Sequence, residues 1–426
     1  MNKRFAAAAA AIGGFALTLT ACGGGTGAGT AGGGSASSSG AAEKVTSIKL
    51  VAAEYSKENT AAFWTKFAEA YKAKTGITLE VQVVSWNDID QQSSTMVQNN
   101  NPPDILNLNV YASYAKDDLL WSADDVLSDA VKSDLLPNFV KSGTYEGKMY
   151  GMPDLSSARA LFYNKDLFAK AGIAGPPKTW DEFVTDAKKI SALGNGTVGY
   201  AMPLGPEEAQ AEYSIWMFNN GGDWKTDGKW SINSPQNVET LKFLKDLSVT
   251  QKVTQNNPGK TNRTDGAFAL FQSGKAGMVV GFSPLAGTLD KDAKVSYGTA
   301  AMPTKDGGTP STYGVTDYLM AFKKPGNSEA VKAFYDLYYS PDQVNTFIKN
   351  EGFLPVTQSG LKVFASDTKL TTYLDTLTGA KLTPTDDPGW DRVKLAVQQS
   401  IGAAVAPDGD PQAVLDSLQK QAESGS

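Results

Sequence analysis

Two residue types limit the chemistry available to this chain, because it contains no histidine and a single cysteine, Cys22. Histidine is the usual acid-base group near neutral pH and the commonest transition-metal ligand, so Ser-His-Asp and Cys-His catalysis are excluded. With Cys22 assigned to another role below, the usual tetrahedral zinc sites cannot be assembled either. Any catalysis would rest on carboxylates, and the sequence predicts no enzyme activity, no metal and no cofactor.

Cys22 ends the run LTAC, after a basic start at Lys3 and Arg4 and an apolar stretch from Phe5 to Leu19. This layout is typical of a secretory signal, and the stretch is shorter than the roughly 20 apolar residues that span a bilayer. LTAC resembles the lipobox of bacterial lipoproteins, whose cysteine receives a lipid. The sequence therefore predicts a signal peptide over 1–21 and a lipid anchor on Cys22 at the outer face of the cell membrane. The alternative is a signal peptide that happens to contain a cysteine.

Residues 22–42 form a tract of Gly, Ala, Ser and Thr after Cys22, with no charged and no large apolar side chain. Such a tract cannot build a core and behaves as a flexible linker, about 25 Å from end to end. The folded body is predicted to begin near Glu43. It is long enough for two domains or lobes.

The net charge of −6 and the lack of a basic block argue against nucleic acid as a partner. Aromatic residues make up 10% of the chain, with eight Trp and sixteen Tyr. Flat apolar side chains in this number suit a protein that binds ligands through their apolar faces.

Strands alternate with helices in the first part of the body, which predicts a largely parallel α/β sheet. Apolar runs at 47–53, 78–84 and 104–108 read as strands, and 59–74 reads as a helix that ends at Gly76. The loops after the three strands carry polar and aromatic side chains, and ligands bind at this edge of such sheets. Trp86 could instead cover the core, and Glu54 could cap a helix.

Several phrases along the chain, in this order, resemble the extracellular solute-binding proteins, family 1, the sugar-type receptors of ABC importers that include maltose-binding protein. They are FAEAYKAKTGI, PPDILNL, YGMPDLSSARALFYNKDLFAKAG, PKTWDEF, NNGGDW, FQSGKAGMVVGFSP, YGTAAMPT, AFKKPGNSEAV and GFLPV. In PKTWDEF, Thr179 and Glu182 also have the spacing of a helix capping box.

The resemblance implies a two-lobed α/β fold of the periplasmic-binding-protein type (type II), with hinge strands between the lobes. Residues 43–152 plus 303–349 would form lobe 1, and 153–302 plus 350–426 would form lobe 2. The chain would cross between lobes at 151–157, at 297–303 and near 350. A ligand would bind in the cleft between the lobes.

The strand-end loops and the resemblance together predict the ligand-binding residues. Trp390 lines up with a family tryptophan that stacks on sugar, and Ser157, Arg159 and Leu161 are expected on one side of a single crossover strand. The alternatives are core packing for Trp390 and Trp216 and a structural ion pair for Arg159. The full predicted set is Glu54, Tyr55, Trp86, Asn109, Tyr111, Ser157, Arg159, Glu212, Trp216, Ser283, Asp317 and Trp390.

The resulting expectation is a monomeric receptor that delivers a neutral mono- or oligosaccharide to the transmembrane subunits of an ABC permease and contacts the membrane through its lipid anchor alone. A lipid-anchored glycoside hydrolase is one alternative, since carboxylates are plentiful, but no motif marks a catalytic pair. A receptor of the same fold for a non-sugar solute is another. A strongly anionic ligand would need several basic groups, and among the predicted residues there is only Arg159.

Overall fold

The computed structural model describes residues 45–292, 294–367, 373 and 380–424. The predicted signal peptide, the lipidation site Cys22 and the linker at 22–42 lie outside the described residues. Helices account for much of the body. They are Thr60–Thr75, Ile89–Gln98, Ala112–Lys116, Ala123–Val126, Asp129–Asp134, Pro137–Ser142, Lys165–Lys170, Trp180–Ser191, Ala209–Phe218, Pro235–Val249, Ala269–Gln272, Ser283–Asp292, Ser328–Tyr338, Pro341–Glu351, Gln358–Phe364, Trp390–Ser400 and Pro411–Glu423, with 3-10 turns at Pro258–Lys260 and Ile401–Val405 and a π-turn at Arg263–Phe268.

The first sheet has five strands, and its first three confirm the strands predicted from the sequence. In spatial order they are Thr78–Ser85, Ser47–Glu54, Ile105–Leu108, Gly314–Ala321 and Met152–Ala158. The first three are parallel, whereas Gly314–Ala321 is antiparallel to both of its neighbours. Strand Ser47–Glu54 buries both faces, as a parallel sheet covered by helices requires.

The second sheet has four strands and is mixed. Its order is Tyr297–Ala300, Ala160–Asn164, Ala276–Gly281 and Val198–Ala201, with a parallel pairing only between the last two. We call the elements around the first sheet the first lobe and those around the second sheet the second lobe. Helix Trp390–Ser400 packs on helix Ala209–Phe218, which follows strand Val198–Ala201, and so belongs to the second lobe. The lobe boundaries predicted from the sequence stay a prediction.

Arg159 is the junction between the two sheets. The strand before it ends at Ala158 and pairs in the first sheet, and the strand after it begins at Ala160 and pairs in the second. The backbone N–H of Arg159 donates to the carbonyl of Tyr313 at 3.0 Å, which holds the crossing. The crossover strand expected to carry Ser157, Arg159 and Leu161 is therefore two strands, because the chain changes sheets at Arg159.

Local signals in the sequence set the helix ends. Helix Thr60–Thr75 buries Phe63, Phe67 and Tyr71 on one face, and Gly76 ends it at φ 76°, a conformation that favours glycine. Thr179 caps helix Trp180–Ser191 by accepting from the Glu182 N–H at 3.1 Å. In a capping box the Glu182 carboxylate would accept from the backbone N–H of Thr179. Here it accepts from the N–H of Lys178, one residue earlier in the chain.

No helix in the described ranges combines the length and the apolar character needed to cross a membrane.

Candidate ligand-binding site

A cleft between the two lobes encloses about 330 Å³, part of it open to solvent. Strand Gly314–Ala321 and Asn109 line it from the first lobe, and helices Ala209–Phe218 and Trp390–Ser400 line it from the second. Its described lining consists of Asn109, Gln210, Tyr313, Gly314, Val315, Thr316, Tyr318, Leu382, Thr383, Thr385, Trp390 and Lys394.

Trp390 is the one tryptophan in the described lining of the cleft. It is the first residue of its helix, and its backbone N–H donates to the Asp387 carbonyl at 2.9 Å in the turn before it. The ring lies 6.4 Å from Trp230 in a stacked arrangement and 5.2 Å from Trp224. Only 2% of the residue is exposed, so packing fixes the orientation of the ring where it lines the cleft.

Two buried polar atoms of the lining have no hydrogen-bond partner among the described residues: Gln210 Oε1 and Thr316 Oγ1. Gln210 comes from the second lobe and Thr316 from the first. A buried polar atom without a partner costs about 1–3 kcal/mol, so such atoms are suited to receive hydrogen bonds from a ligand.

Lys394 is the one charged residue in the described lining, and its charge is already matched. Its Nζ donates to both carboxylate oxygens of Asp90 at 2.8 Å and to Asn109 Oδ1 at 2.7 Å. An ammonium group has three N–H donors, and these three acceptors use all of them. The Lys394 ammonium also lies 6.0 Å from the ring of Trp86.

Asp317 lies buried on the strand that lines the cleft, next to Thr316. Its Oδ2 accepts from the Tyr55 hydroxyl at 2.8 Å, whereas Oδ1 is buried without a partner among the described residues. Burial raises the pKa of Asp317 to about 6. The ring of Tyr55 in turn meets that of Trp86 edge to face at 5.8 Å, so the loops after the first two strands do converge.

A second cavity of about 240 Å³ adjoins the cleft in the second lobe and is lined by charged groups. Glu208 bridges two guanidinium groups, with one carboxylate oxygen paired to Arg159 and the other to Arg263. Arg263 also pairs with Glu207 at 3.1 Å. Glu212 lines the same cavity, and burial raises its pKa to about 7.

The predicted residues thus fall into three groups. Asn109 and Trp390 line the cleft, and Tyr55 contacts both Trp86 and Asp317 beside it. Arg159 and Glu212 line the second cavity. The third group lies elsewhere in the structure and comprises Glu54, Tyr111, Ser157, Trp216 and Ser283.

Packing explains the placement of the third group. The Tyr111 hydroxyl donates to the Ser142 carbonyl at 2.9 Å, and the Trp216 indole N–H donates to Glu212 at 3.0 Å inside the core. Ser157 is buried within the first sheet. Ser283 begins helix Ser283–Asp292, and its buried Oγ has no partner among the described residues. Glu54 is half-buried at the end of its strand.

Sequence reasoning missed most of the cleft. Gln210, Thr316 and Lys394 were absent from the predicted set, as were Tyr313, Tyr318, Thr383 and Thr385. One signal was available for Lys394, because it follows Trp390 by four residues and so shares its helix face. The threonines carry no pattern of their own in the sequence.

Two mixed sheets, a chain that crosses between them and a cleft between the lobes are the features of two-lobed solute receptors. The sequence model of the bacterial extracellular solute-binding proteins matches residues 55–345. The chain therefore belongs to the bacterial extracellular solute-binding protein family, a family of exported proteins, as the sequence resemblance indicated.

Individual relatives agree with this assignment. A binding protein of Brucella abortus (strain 2308) is 30% identical over 384 residues, which is 88% of this chain and 92% of the relative. The sn-glycerol-3-phosphate-binding periplasmic protein UgpB of Agrobacterium fabrum is 28% identical over 50% of each chain. Among solved structures, maltose-bound T. maritima MalE3 superposes with a TM-score of 0.77 at 24% identity, covering 89% of this chain and all of that one. That likeness confirms the two-lobed fold.

Proposed function

We propose that this protein captures a neutral carbohydrate, a mono- or oligosaccharide, in the interlobe cleft and delivers it to the permease of an ABC importer. The observation that carries the proposal is the chemistry of the lining. An aromatic surface at Trp390 stands with neutral polar groups at Gln210, Thr316, Thr383 and Thr385. A sugar ring has an apolar C–H face and hydroxyls around its edge, and this lining complements both.

The cationic side chains in and beside the cleft are already paired with carboxylates, which argues against an anionic solute such as a sugar phosphate. A phosphate group is normally met by uncommitted Arg or Lys groups. Here the ammonium of Lys394 is saturated by Asp90 and Asn109, and the guanidinium groups of Arg159 and Arg263 are paired with Glu208. On this ground we favour a neutral ligand over the glycerol phosphate named for UgpB, whose match covers half of each chain.

Delivery would follow from closure of the lobes around the ligand. Residues of both lobes line the cleft, so a bound sugar adds contacts that exist only in the closed state and shifts the population toward it. The closed shape would then be recognised by the permease. A lipid on Cys22 and the flexible 22–42 tract would keep the receptor near that permease, as the LTAC run predicts.

A thermal-shift screen of neutral mono- and oligosaccharides, with glycerol 3-phosphate as the anionic comparison, tests the ligand class. A ligand at 100 times its Kd adds about 2.7 kcal/mol to the free energy of unfolding. Stabilisation by neutral sugars and none by glycerol 3-phosphate is expected. The reverse pattern would overturn the proposal, and turnover of a bound oligosaccharide would favour the hydrolase instead.

A further inference from the structure

The carboxylate of Glu208 lies between two guanidinium groups, a position that favours an anion. Its two oxygens are shared between guanidinium groups from separate parts of the chain, Arg159 at the sheet junction and Arg263 in the π-turn Arg263–Phe268. Both guanidinium groups also face the Phe282 ring, at 4.0 Å and 4.9 Å from its centroid. Two guanidinium groups held this way by one ring form a geometry that binds a carboxylate or a phosphate.

This pair adjoins the ligand cleft. Ala211 and Glu212 line the cavity that holds it, and their chain neighbour Gln210 lines the cleft. Tyr313 also lines the cleft, and its carbonyl accepts from the backbone N–H of Arg159. The cleft and the guanidinium pair are thus related through neighbouring residues of helix Ala209–Phe218 and through one backbone hydrogen bond.

We propose that Glu208 is a specificity-determining residue that masks a latent anion site formed by Arg159 and Arg263. This inference rests on the proposed function, since it explains how a receptor with two buried arginines beside its cleft selects neutral sugars. An anionic ligand would have to displace Glu208, and the displaced carboxylate would face it across the cavity. Built-in repulsion of this kind is a common route to specificity.

The charges around the pair support this assignment. Arg159 and Arg263 face Glu207 and Glu208, so the charges of these four groups balance. The remaining acidic group of the cavity, Glu212, accepts hydrogen bonds from Tyr200 and Trp216. Without the carboxylate of Glu208, one positive charge of the pair is unmatched and Arg159 loses its partner. An external phosphate or carboxylate would supply both the missing negative charge and a new partner for Arg159.

Replacement of Glu208 by Gln tests the proposal directly. The amide keeps the size of the side chain but removes its negative charge, and it replaces one of the two acceptor oxygens with an NH2 donor, so the guanidinium group that faced that oxygen loses its acceptor. Inorganic phosphate and glucose 6-phosphate are the probes, and the readouts are thermal unfolding and calorimetric binding. E208Q is expected to bind glucose 6-phosphate about tenfold or more tightly than the wild type and to be stabilised by phosphate.

Two further variants separate this effect from general charge and from folding. E207Q has the same net charge as E208Q, but Glu207 pairs with Arg263 and not with Arg159, so its response to phosphate should match the wild type. The double variant R159Q/E208Q removes one of the two guanidinium groups together with the Glu208 carboxylate. The tighter binding of glucose 6-phosphate expected for E208Q should therefore disappear.

The outcomes are decisive in each case. If E208Q is unstable alone, recovery of its folded state in phosphate supports the proposal, and failure to recover overturns it. Two other results also overturn the proposal. One is an equal increase in phosphate and glucose 6-phosphate binding in E207Q and E208Q, and the other is a folded E208Q that binds neither probe more tightly than the wild type does. Neutral-sugar binding by the wild type is measured in parallel, so failure of the proposed function would show there and not in the phosphate response.

Discussion

Lys394 of the second lobe and Asp90 of the first lobe form a buried ion pair across the cleft, with both carboxylate oxygens 2.8 Å from the ammonium nitrogen. The Lys394 side chain is 3% exposed and that of Asp90 is 16% exposed. The pair joins helices Trp390–Ser400 and Ile89–Gln98, which belong to different lobes. The pair therefore links the two lobes directly, and we expect it to favour the closed arrangement.

Replacement of Lys394 by Met should therefore favour the open arrangement. Breaking a buried pair costs about 3–5 kcal/mol, and ligand affinity falls with the fraction of closed protein. We expect a larger radius of gyration in small-angle scattering and at least about tenfold weaker sugar binding. The control is K324M, because Lys324 pairs with Asp104 at 3.1 Å within the first lobe. Equal scattering curves for K394M and the wild type would contradict the expectation that the Lys394–Asp90 pair favours the closed arrangement.

Replacement of Trp390 by Leu should weaken sugar binding by about tenfold, because it removes an aromatic ring from the lining of the cleft and keeps an apolar side chain. Calorimetric titration with the sugar found in the screen measures this. The matched control is W64L, since Trp64 is fully buried in the first lobe and does not line the cleft. W64L should lower thermal stability with affinity preserved, and unchanged affinity in W390L would remove Trp390 from the site.

Replacement of Thr316 by Val should affect stability and binding in opposite directions. Thr316 Oγ1 is buried without a partner among the described residues, so its removal should leave stability unchanged or raise it by about 1 kcal/mol. Affinity should fall about threefold to tenfold through loss of the hydrogen bond to the ligand.

The same substitution at Thr60 provides the control for T316V. Thr60 Oγ1 donates to Glu351 at 2.6 Å and accepts from the Tyr55 N–H at 3.0 Å, so T60V should lose stability and keep affinity. Denaturant unfolding and titration of both variants decide the matter. A destabilised T316V with wild-type affinity would show that its hydroxyl serves the fold.

Asp317 should make the stability of the protein depend on acid pH. Its folded pKa of about 6 lies above the ordinary 3.8, because burial disfavours the charged form. The stabilising contribution is therefore fully present below pH 3.8 and is lost as the pH rises to about 6, by about 3 kcal/mol in all.

D317N should abolish this loss, since a neutral amide carbonyl can still accept from the Tyr55 hydroxyl. We expect D317N to be more stable than the wild type above pH 6 and to show a flatter dependence between pH 4 and 6. Thermal unfolding across this range measures both. Parallel curves for the two proteins would assign the pH dependence to another group.

Much of the local structure was predictable because its causes are local. Phe63, Phe67 and Tyr71 share a helix face through their spacing, and Gly76 ends that helix because it tolerates a positive φ. The cap at Thr179 was predictable for the same reason. Asn109 could be predicted because it follows a strand of the sheet, and Trp390 could be predicted because its segment resembles that of the family. The structure places both residues in the lining of the cleft.

The rest of the site depends on contacts between residues far apart in the chain. Tyr55 and Asp317 are 262 positions apart, and Lys394 and Asp90 are 304 apart, yet both pairs are hydrogen-bonded. Residue types and spacing give no measure of such contacts. The change of sheet at Arg159 escaped prediction similarly, because it is set by pairing with Gly314–Ala321 on one side and Ala276–Gly281 on the other.

The sequence by itself excluded histidine and thiol catalysis in the folded body, placed the first strands and helices, and identified the family. It could also count the charged residues, but only the tertiary structure decided which of those charges a ligand would meet. Arg159 and Lys394 look like free cations in the sequence, whereas in the fold each is paired with a carboxylate. The physical reason is that these ion pairs and hydrogen bonds form over a few ångströms in space, so the partner of each charge is fixed only when distant parts of the chain come together in the fold.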